Sequence, residues 1–267
     1  MADSSDIKTL HWEEQIFTLD GLMTEEECDT LISRAEERGF KDSAPSGGGH
    51  GRTGREDART SQFTILDDDD TANFLWEKVR SHLPPDVSHL STSAYITEAT
   101  KHAQPIAVNP HLRIYKYACG QAFPEHIDYK MRRVVWRDGK KYEQMSYMTL
   151  LIYLNDDFKS GETGFWTQHD VQGKKEHCRF LRGIENKPHQ VLIQPLKGRM
   201  LISDQNLLHE GIPPSTGIKY VLRTDIIHER EMIIHDRVRA TMKESDFADR
   251  LGEWERLFET SCKNYAD

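Results

Sequence analysis

The spacing of hydrophobic and polar positions predicts two amphipathic helices in the first third of the chain. Thr24 stands three residues before Glu27, a spacing typical of a helix N-cap with a reciprocal acidic partner. Apolar residues recur at helical spacing over 28–35, and Gly39 is expected to end this helix. A second helix is expected to start at the acidic run 67–70, because acidic side chains favour the positive end of the helix dipole.

From about residue 111 the pattern changes to short β-type runs separated by turn residues. These runs cover 112–117, 122–128, 145–154, 164–167, 190–195, 199–203 and 219–227. Two earlier strands are expected at 14–19, after a polar tail over 1–15, and at 61–65. Helices followed by closely spaced strands predict an α+β fold in which N-terminal helices brace an antiparallel sandwich or barrel.

The same pattern predicts one domain with three parts. Residues 1–110 form the N-terminal support, which includes a flexible Gly/Ser-rich loop at 43–54. Residues 111–230 form the strand-rich core. Residues 231–267 form a C-terminal extension, because apolar residues again recur at helical spacing over 246–258.

Composition and charge disfavour several classes of function. The 267 residues carry a formal net charge of -9, which disfavours sequence-independent nucleic-acid binding. No run approaches the roughly 18 consecutive apolar residues of a membrane span, and the polar, acidic start is not a secretory signal. The four cysteines lie far apart without metal-ligand spacing. We therefore expect an intracellular protein, cytoplasmic or nuclear, with reduced thiols.

The segment around His126 carries the first sign of metal chemistry. His126 and Asp128 lie two residues apart in an expected strand, so both side chains project from one face while Ile127 points to the opposite layer. An imidazole and a carboxylate on one face are two of the three ligands of a facial triad, which holds Fe(II) with open positions. The leading candidate for the third ligand is His209, at the edge of a later β-type run.

A cation follows at a spacing that suits a dicarboxylate cosubstrate. Lys219 stands ten residues beyond His209, on the next expected strand. 2-Oxoglutarate chelates the metal with one end, and its remote carboxylate requires a fixed positive partner. Arg223 has the same strand parity as Lys219, so both cations are expected to face the pocket.

These residues, together with several flanking motifs, resemble the prolyl 4-hydroxylase-like branch of the iron(II)- and 2-oxoglutarate-dependent oxygenases. The matching segments are 25–32 (EEECDTLI), 51–61, 112–121 leading into His126-x-Asp128, 149–155, 161–163, 198–209 and Gly217-x-Lys219. Their combined order is specific, although each motif alone is common. Arg223 and the long basic insert 130–144 depart from the collagen-type pattern of that branch.

The resemblance implies both a fold and a site. It implies a double-stranded β-helix, or jelly-roll, core. It implies His126, Asp128 and His209 as the catalytic iron ligands, and Lys219 as the partner of the remote 2-oxoglutarate carboxylate. It also implies that Tyr117 and Tyr153 line the cosubstrate pocket.

The assignment of these site residues leads to expectations about the pocket wall, the cofactors and the reaction. Thr149 and Leu151 share the parity of Tyr153 and are expected to line the same wall. Fe(II), 2-oxoglutarate and O₂ are the expected cofactors and cosubstrates, with ascorbate as reductant. The expected reaction is hydroxylation of an unactivated C–H bond with release of succinate and CO₂.

The substrate is expected to be a prolyl residue in a peptide or protein, or a small amino-acid-like metabolite. Arg132 and Arg133 follow the metal-binding segment and could recruit an anionic group, or could belong to a solvated lid. Trp166 could stack on the substrate or fill the core. The sequence assigns no oligomeric state, and no nucleic-acid or membrane partner is expected.

Two other classes remain open at the level of sequence. One is a non-catalytic jelly-roll binding protein, which would have no need for Lys219 beside a complete ligand set. The other is a zinc hydrolase with the same three ligands, which would require a general base that is not evident near His126.

Overall fold

The computed structural model describes residues 7–43, 61–90, 100–167 and 188–232. The helices are α1 (Glu25–Arg38) and α2 (Asp69–Val79), with 3-10 turns at Arg80–His82 and Ser88–Leu90. The first eight strands are β1 (Lys8–Glu13), β2 (Ile16–Asp20), β3 (Lys41–Asp42), β4 (Gln62–Asp67), β5 (Gln104–Val108), β6 (His111–Ala118), β7 (Phe123–His126) and β8 (Arg132–Arg137). The remaining strands are β9 (Lys140–Tyr153), β10 (Lys159–Ser160), β11 (Thr163–Trp166), β12 (Val191–Ile193), β13 (Met200–Asp204), β14 (Leu208–Gly211), β15 (Pro214–Thr216) and β16 (Ile218–Glu231).

Both predicted helices are confirmed, with the expected caps. The Thr24 hydroxyl accepts from the Glu27 amide at 3.2 Å, and the Glu27 carboxylate accepts from the Thr24 amide at 2.8 Å. Gly39 ends α1 with a φ of 83°, a conformation that glycine adopts without a steric penalty. Asp68 caps α2 by accepting from the Thr71 amide at 3.0 Å.

The strands form two principal sheets, which make up the jelly-roll core. In the large sheet the order is β1-β2-β13-β9-β16-β6-β4-β3, with β5 on β16 and β8 on β9. In the small sheet the order is β12-β11-β14-β7. Strands β10 and β15 form a separate antiparallel pair.

The large sheet is buried on both faces by different partners. Its outer face packs with α1 and α2 through a cluster that includes Leu31, Leu75, Ile114 and Leu222. Its inner face packs against the small sheet through a second cluster, which includes Tyr153 and Val221 of the large sheet and Phe165 and Ile193 of the small one. This arrangement confirms the predicted α+β class and the predicted bracing of the sheet by N-terminal helices.

The insert 130–144 contains β8 and the start of β9. Two sequence expectations about elements were wrong. Strand β1 occupies part of the predicted polar tail, where it pairs with β2. Strand β7 ends at His126, so Asp128 follows the strand, and Ile127 is 39% exposed instead of packing into the opposite layer.

The predicted C-terminal helix over 246–258, and the predicted loop 43–54 except Ser43, lie outside the described residues. The chain divides into two compact units, one of 1–134 with 143–230 and one of 135–142 with 231–267. The three-part single domain therefore stays a prediction. Among the described residues, neither helix has the length and hydrophobicity that crossing a membrane requires.

Candidate metal centre

The small sheet brings the two predicted histidine ligands together. His126 on β7 and His209 on β14 are directly paired across the two strands, with ring centroids 4.2 Å apart. Asp128 lies just beyond β7, where its backbone amide donates to the Gln205 carbonyl at 3.1 Å. One nitrogen or oxygen from each of His126, Asp128 and His209 lies within 4.8 Å of the others.

Backbone contacts select the ring nitrogen that each histidine presents. Nδ1 of His126 lies 2.8 Å from the Pro124 carbonyl oxygen, and Nδ1 of His209 lies 2.9 Å from the Leu207 carbonyl oxygen. A carbonyl oxygen can only accept, so each Nδ1 carries the proton and each Nε2 keeps a lone pair. The Nε2 atoms lie 3.8 and 3.9 Å from the oxygens of Asp128.

Two phenylalanine rings hold the imidazoles in these orientations. Phe123 stacks on His126 with ring centroids 3.5 Å apart, and Phe165 stacks on His209 with centroids 5.3 Å apart. A carbonyl partner on the distal nitrogen and an apolar neighbour on the ring are typical supports of a metal-binding histidine. The two imidazoles and one carboxylate therefore fit the facial ligand set of a non-haem Fe(II) centre.

Asp128 is oriented from two sides. The Thr149 hydroxyl donates to its Oδ2 atom, and Nη2 of Arg223 lies 3.2 Å from Oδ1. Burial alone would raise the pKa of Asp128, but the charge of Arg223 and the hydrogen bond from Thr149 hold that pKa well below its usual range. The carboxylate is thus ionised, as a metal ligand must be.

Lys219 is buried on the inner face of the large sheet. Its side chain is 3% exposed, and its Nζ atom donates to the Gly161 carbonyl at 2.5 Å. The ammonium lies 5.6 Å from the ring centroid of Tyr117 and 5.5 Å from that of Tyr153. Burial lowers the pKa of Lys219 to about 7, and only Glu162 acts in the opposite direction.

The residues expected to line the cosubstrate pocket lie on the inner face of the large sheet. Tyr117 pairs with Lys219 across β6 and β16, and the Tyr153 hydroxyl lies 2.6 Å from that of Thr163. Thr149 does face the interior, but its hydroxyl contacts Asp128, so it supports the metal ligand. Leu151 packs against the inner hydrophobic cluster.

Arg223 lies beside the metal ligands within a buried network that the sequence reasoning missed. Its Nη2 atom is 3.0 Å from Oδ1 of Asp225, and Asp225 is fixed by Gln205 at 2.7 Å and Asn109 at 3.1 Å. The same strand parity that grouped Arg223 with Lys219 also includes Asp225, and this was the available signal. Gln205 and Asn109 come from distant segments of the chain, so no sequence pattern near Arg223 indicates their contact with Asp225.

The residues expected to contact substrate have other partners. Nε of Arg132 donates to Glu143, and Nε of Arg133 donates to Gln144, each at 2.6 Å across β8 and β9. Trp166 is 1% exposed and packs against His189 with ring centroids 4.3 Å apart. The structure therefore favours a core position for Trp166 and cross-strand pairing for both arginines over direct substrate contact.

Comparison with known families agrees with this site. Residues 112–224, which include all three ligands and Lys219, match the model of the 2OG-Fe(II) oxygenase superfamily. This stretch of the chain is thus similar to a superfamily whose members use Fe(II), 2-oxoglutarate and O₂.

Two curated relatives indicate which type of oxygenase the chain resembles. The chain is 26% identical over 230 residues to prolyl 4-hydroxylase 2 of Arabidopsis thaliana, covering 81% of this chain and 68% of that protein. It is also 26% identical over 232 residues to probable prolyl 4-hydroxylase 6 of the same plant, covering 82% and 70%. These similarities support a prolyl 4-hydroxylase-like dioxygenase over a non-catalytic binding protein.

Solved structures with weaker similarity include two prolyl hydroxylases. One is the viral collagen prolyl hydroxylase of Paramecium Bursaria Chlorella virus-1, with a TM-score of 0.46 and 19% identity, covering 80% of this chain and 96% of that one. The other is a prolyl hydroxylase from Trichoplax adhaerens in complex with a hypoxia inducible factor peptide fragment, with a TM-score of 0.48 and 16% identity, covering 86% and 88%.

Proposed function

We propose that this protein hydroxylates a prolyl residue in a peptide, or a small amino-acid-like metabolite, and releases succinate and CO₂. The names of the curated relatives support a prolyl target. The observation that carries the proposal is the convergence of His126, Asp128 and His209 in a fold that also buries Lys219, which forms no salt bridge among the described residues.

Each residue has a defined task in this proposal. His126 and His209 bind Fe(II) through Nε2, and Asp128 binds it through a carboxylate oxygen. Fe(II), with 2-oxoglutarate and O₂, supplies the oxidising power that the protein side chains lack. The protein contributes orientation and the exclusion of water.

Lys219 binds the remote carboxylate of 2-oxoglutarate. A buried ammonium with only one carbonyl acceptor among the described residues is poorly solvated, so a carboxylate is a strongly favoured partner. The rings of Tyr117 and Tyr153 flank the ammonium and would enclose the carbon chain of the cosubstrate.

Arg223 acts through Asp128 in this proposal and does not bind the cosubstrate. Its guanidinium lies between the carboxylates of Asp128 and Asp225, so its charge is already compensated. Ascorbate is proposed as the reductant that keeps the iron ferrous between turnovers.

Succinate formation from 2-oxoglutarate, Fe(II) and ascorbate tests the proposal. We expect wild-type protein to form succinate above a blank, and both His126→Ala and Lys219→Met to lose at least about 90% of the rate, as is typical for loss of a ligand or of a fixed charge. The matched control is His102→Ala, an exposed histidine outside the site, which should keep wild-type activity. Equal rates for wild type and His126→Ala would refute the proposed function.

A further inference from the structure

A second arginine lies next to Arg223 on the inner face of the large sheet. Arg113 on β6 is the direct cross-strand partner of Arg223 on β16. Directly paired residues of antiparallel strands project from the same face, with Cβ atoms about 4.5–5.5 Å apart. The neighbours of Arg113 along β6, Leu112 and Ile114, point outward into the cluster with the helices. Arg113 therefore faces the interior of the jelly roll, as Arg223 does.

The two arginines differ in how their charges are compensated. Arg223 is 11% exposed and contacts both Asp128 and Asp225. Arg113 is partly exposed, and in the described part of the chain its side chain has no hydrogen bond or ion pair. Among the described residues, the charge of Arg113 is therefore left for an external anion to pair with.

The position of Arg113 separates it from the cosubstrate pocket. It lies four residues from Tyr117, the cross-strand partner of Lys219, which is about 13 Å along an extended strand. Its own partner, Arg223, reaches the metal ligand Asp128. Arg113 is therefore placed on the Asp128 side of this sheet face, away from Lys219.

The surroundings of Arg113 suit a ring-bearing organic ligand. Ile65 on β4 is its other cross-strand partner and is also partly exposed. Phe63 and Tyr115 follow on the same face with ring centroids 6.5 Å apart. An apolar and aromatic wall with one uncompensated cation is the usual composition of a site that binds a small anionic group next to a hydrophobic one.

We propose that Arg113 is a specificity-determining residue that binds a carboxylate of the substrate. This inference rests on the proposed function. The carboxylate belongs either to an Asp or Glu side chain close to the target proline, or to the free carboxyl group of an amino-acid-like substrate. Guanidinium binds a carboxylate through two parallel hydrogen bonds, so it also fixes the orientation of the substrate at the metal.

Matched probes test this inference with the full chain, Fe(II), 2-oxoglutarate and ascorbate. The first set is alanine-based nonapeptides with a central proline and one Glu at each neighbouring position in turn, each with a Gln counterpart. The second set is L-proline and L-prolinamide. Gain of one oxygen atom is followed by mass spectrometry, and affinity is measured on Mn(II)-loaded protein with 2-oxoglutarate.

At one peptide position, or for L-proline against L-prolinamide, we expect kcat/KM to be about tenfold or more higher for the acidic probe than for its amide counterpart. This difference is the size of one charged hydrogen bond. Arg113→Gln should remove this preference, and Arg113→Glu should transfer it to peptides with Lys at that position. The control Arg38→Gln, at an exposed arginine in the last turn of α1, should keep it.

Two results would overturn the inference. One is the lack of any acid preference, including the case in which none of the probes is oxidised. The other is a preference that survives Arg113→Gln. Succinate formation by the wild-type protein in the absence of probe distinguishes failure of this inference from failure of the proposed function, because that reaction requires the metal ligands and 2-oxoglutarate but no substrate carboxylate.

Discussion

Among the described residues, the buried charges of Asp128, Arg223 and Asp225 compensate one another, whereas Lys219 forms no salt bridge. Asp128 has Arg223 and Thr149, and Asp225 has Arg223, Gln205 and Asn109. Lys219 has only the Gly161 carbonyl as a hydrogen-bond acceptor among the described residues, and the two tyrosine rings beside it. Its remaining charge is available to a ligand, so the lysine should register cosubstrate binding as a change in protonation.

We predict that 2-oxoglutarate affinity falls as the pH rises above 7. Burial lowers the pKa of Lys219 to about 7, so the free protein loses this charge above that pH, while a bound carboxylate favours the charged form. Binding then takes up a proton, and the dissociation constant should rise by about tenfold per pH unit between about pH 7 and 9. Below pH 7 this group should cause no further change.

Titration calorimetry of Mn(II)-loaded protein in two buffers of different ionisation enthalpy checks this prediction. Lys219→Arg is the matched control, because an arginine stays charged over this range and should remove the slope. Wild-type affinity that is constant from pH 7 to 9 would mean that Lys219 is not the carboxylate partner.

At the level of elements, the small sheet positions the two histidine ligands. Strand β14 lies between β7 and β11, so His209 is paired with His126 on one side and with Phe165 on the other. Gly164, the neighbour of Phe165 on β11, packs against the ring of His189, which Glu210 fixes at 2.8 Å. Close packing at this glycine therefore supports the strand that carries His209.

We predict that Gly164→Ala destabilises the protein and that Gly211→Ala does not. A Cβ atom at Gly164 would lie 2.4 Å from the His189 ring, whereas one at Gly211 would have its nearest contact, Phe123, at 3.6 Å. The overpacked variant should lose about 1–3 kcal/mol in the free energy of unfolding. Denaturant unfolding measures both variants, and equal stability would contradict the close packing of His189.

The N-cap of α1 gives a second prediction at the level of elements. Thr24→Ala removes the hydroxyl that accepts from the Glu27 amide, so it should cost about 1 kcal/mol. The control is Thr30→Ala within the same helix, where alanine is the better helix former and stability should be unchanged or slightly higher. Thermal unfolding by circular dichroism separates the two. A Thr24→Ala loss no larger than that of Thr30→Ala would contradict the capping role.

These elements also show what the sequence could predict. Local signals sufficed for the α1 cap, for the pair His126 and Asp128, and for the parity of Lys219, because each depends on residues within a few positions. The partners of Thr149 and Arg132 depend on how distant strands or hairpin arms are paired. That register is set by whole-sheet packing, so the contacts of Thr149 with Asp128 and of Arg132 with Glu143 could not be predicted from the sequence.

At the scale of the whole molecule, metal binding should be coupled to folding. The three ligands come from two segments of the chain: His126 and Asp128 lie in one, and His209 lies more than 80 residues further on. They converge only in the folded state. A metal that binds the native state but not the unfolded chain stabilises the native state by about 2.7 kcal/mol at 100 times its dissociation constant.

We therefore predict that Mn(II) raises the unfolding temperature of the wild-type protein and leaves that of His209→Ala unchanged. Differential scanning calorimetry with and without the metal measures the shift, and His102→Ala serves as the control that keeps it. An equal shift in His209→Ala would place the metal elsewhere in the protein.

The most direct test of the central claim is the origin of the oxygen in succinate. Full-length protein is incubated with Fe(II), 2-oxoglutarate and ascorbate under ¹⁸O₂, and the succinate is analysed by mass spectrometry. The account predicts one ¹⁸O atom in the new carboxylate of succinate, in a reaction that wild type catalyses and His126→Ala does not. Succinate without label, or equally labelled succinate from His126→Ala, would contradict the account.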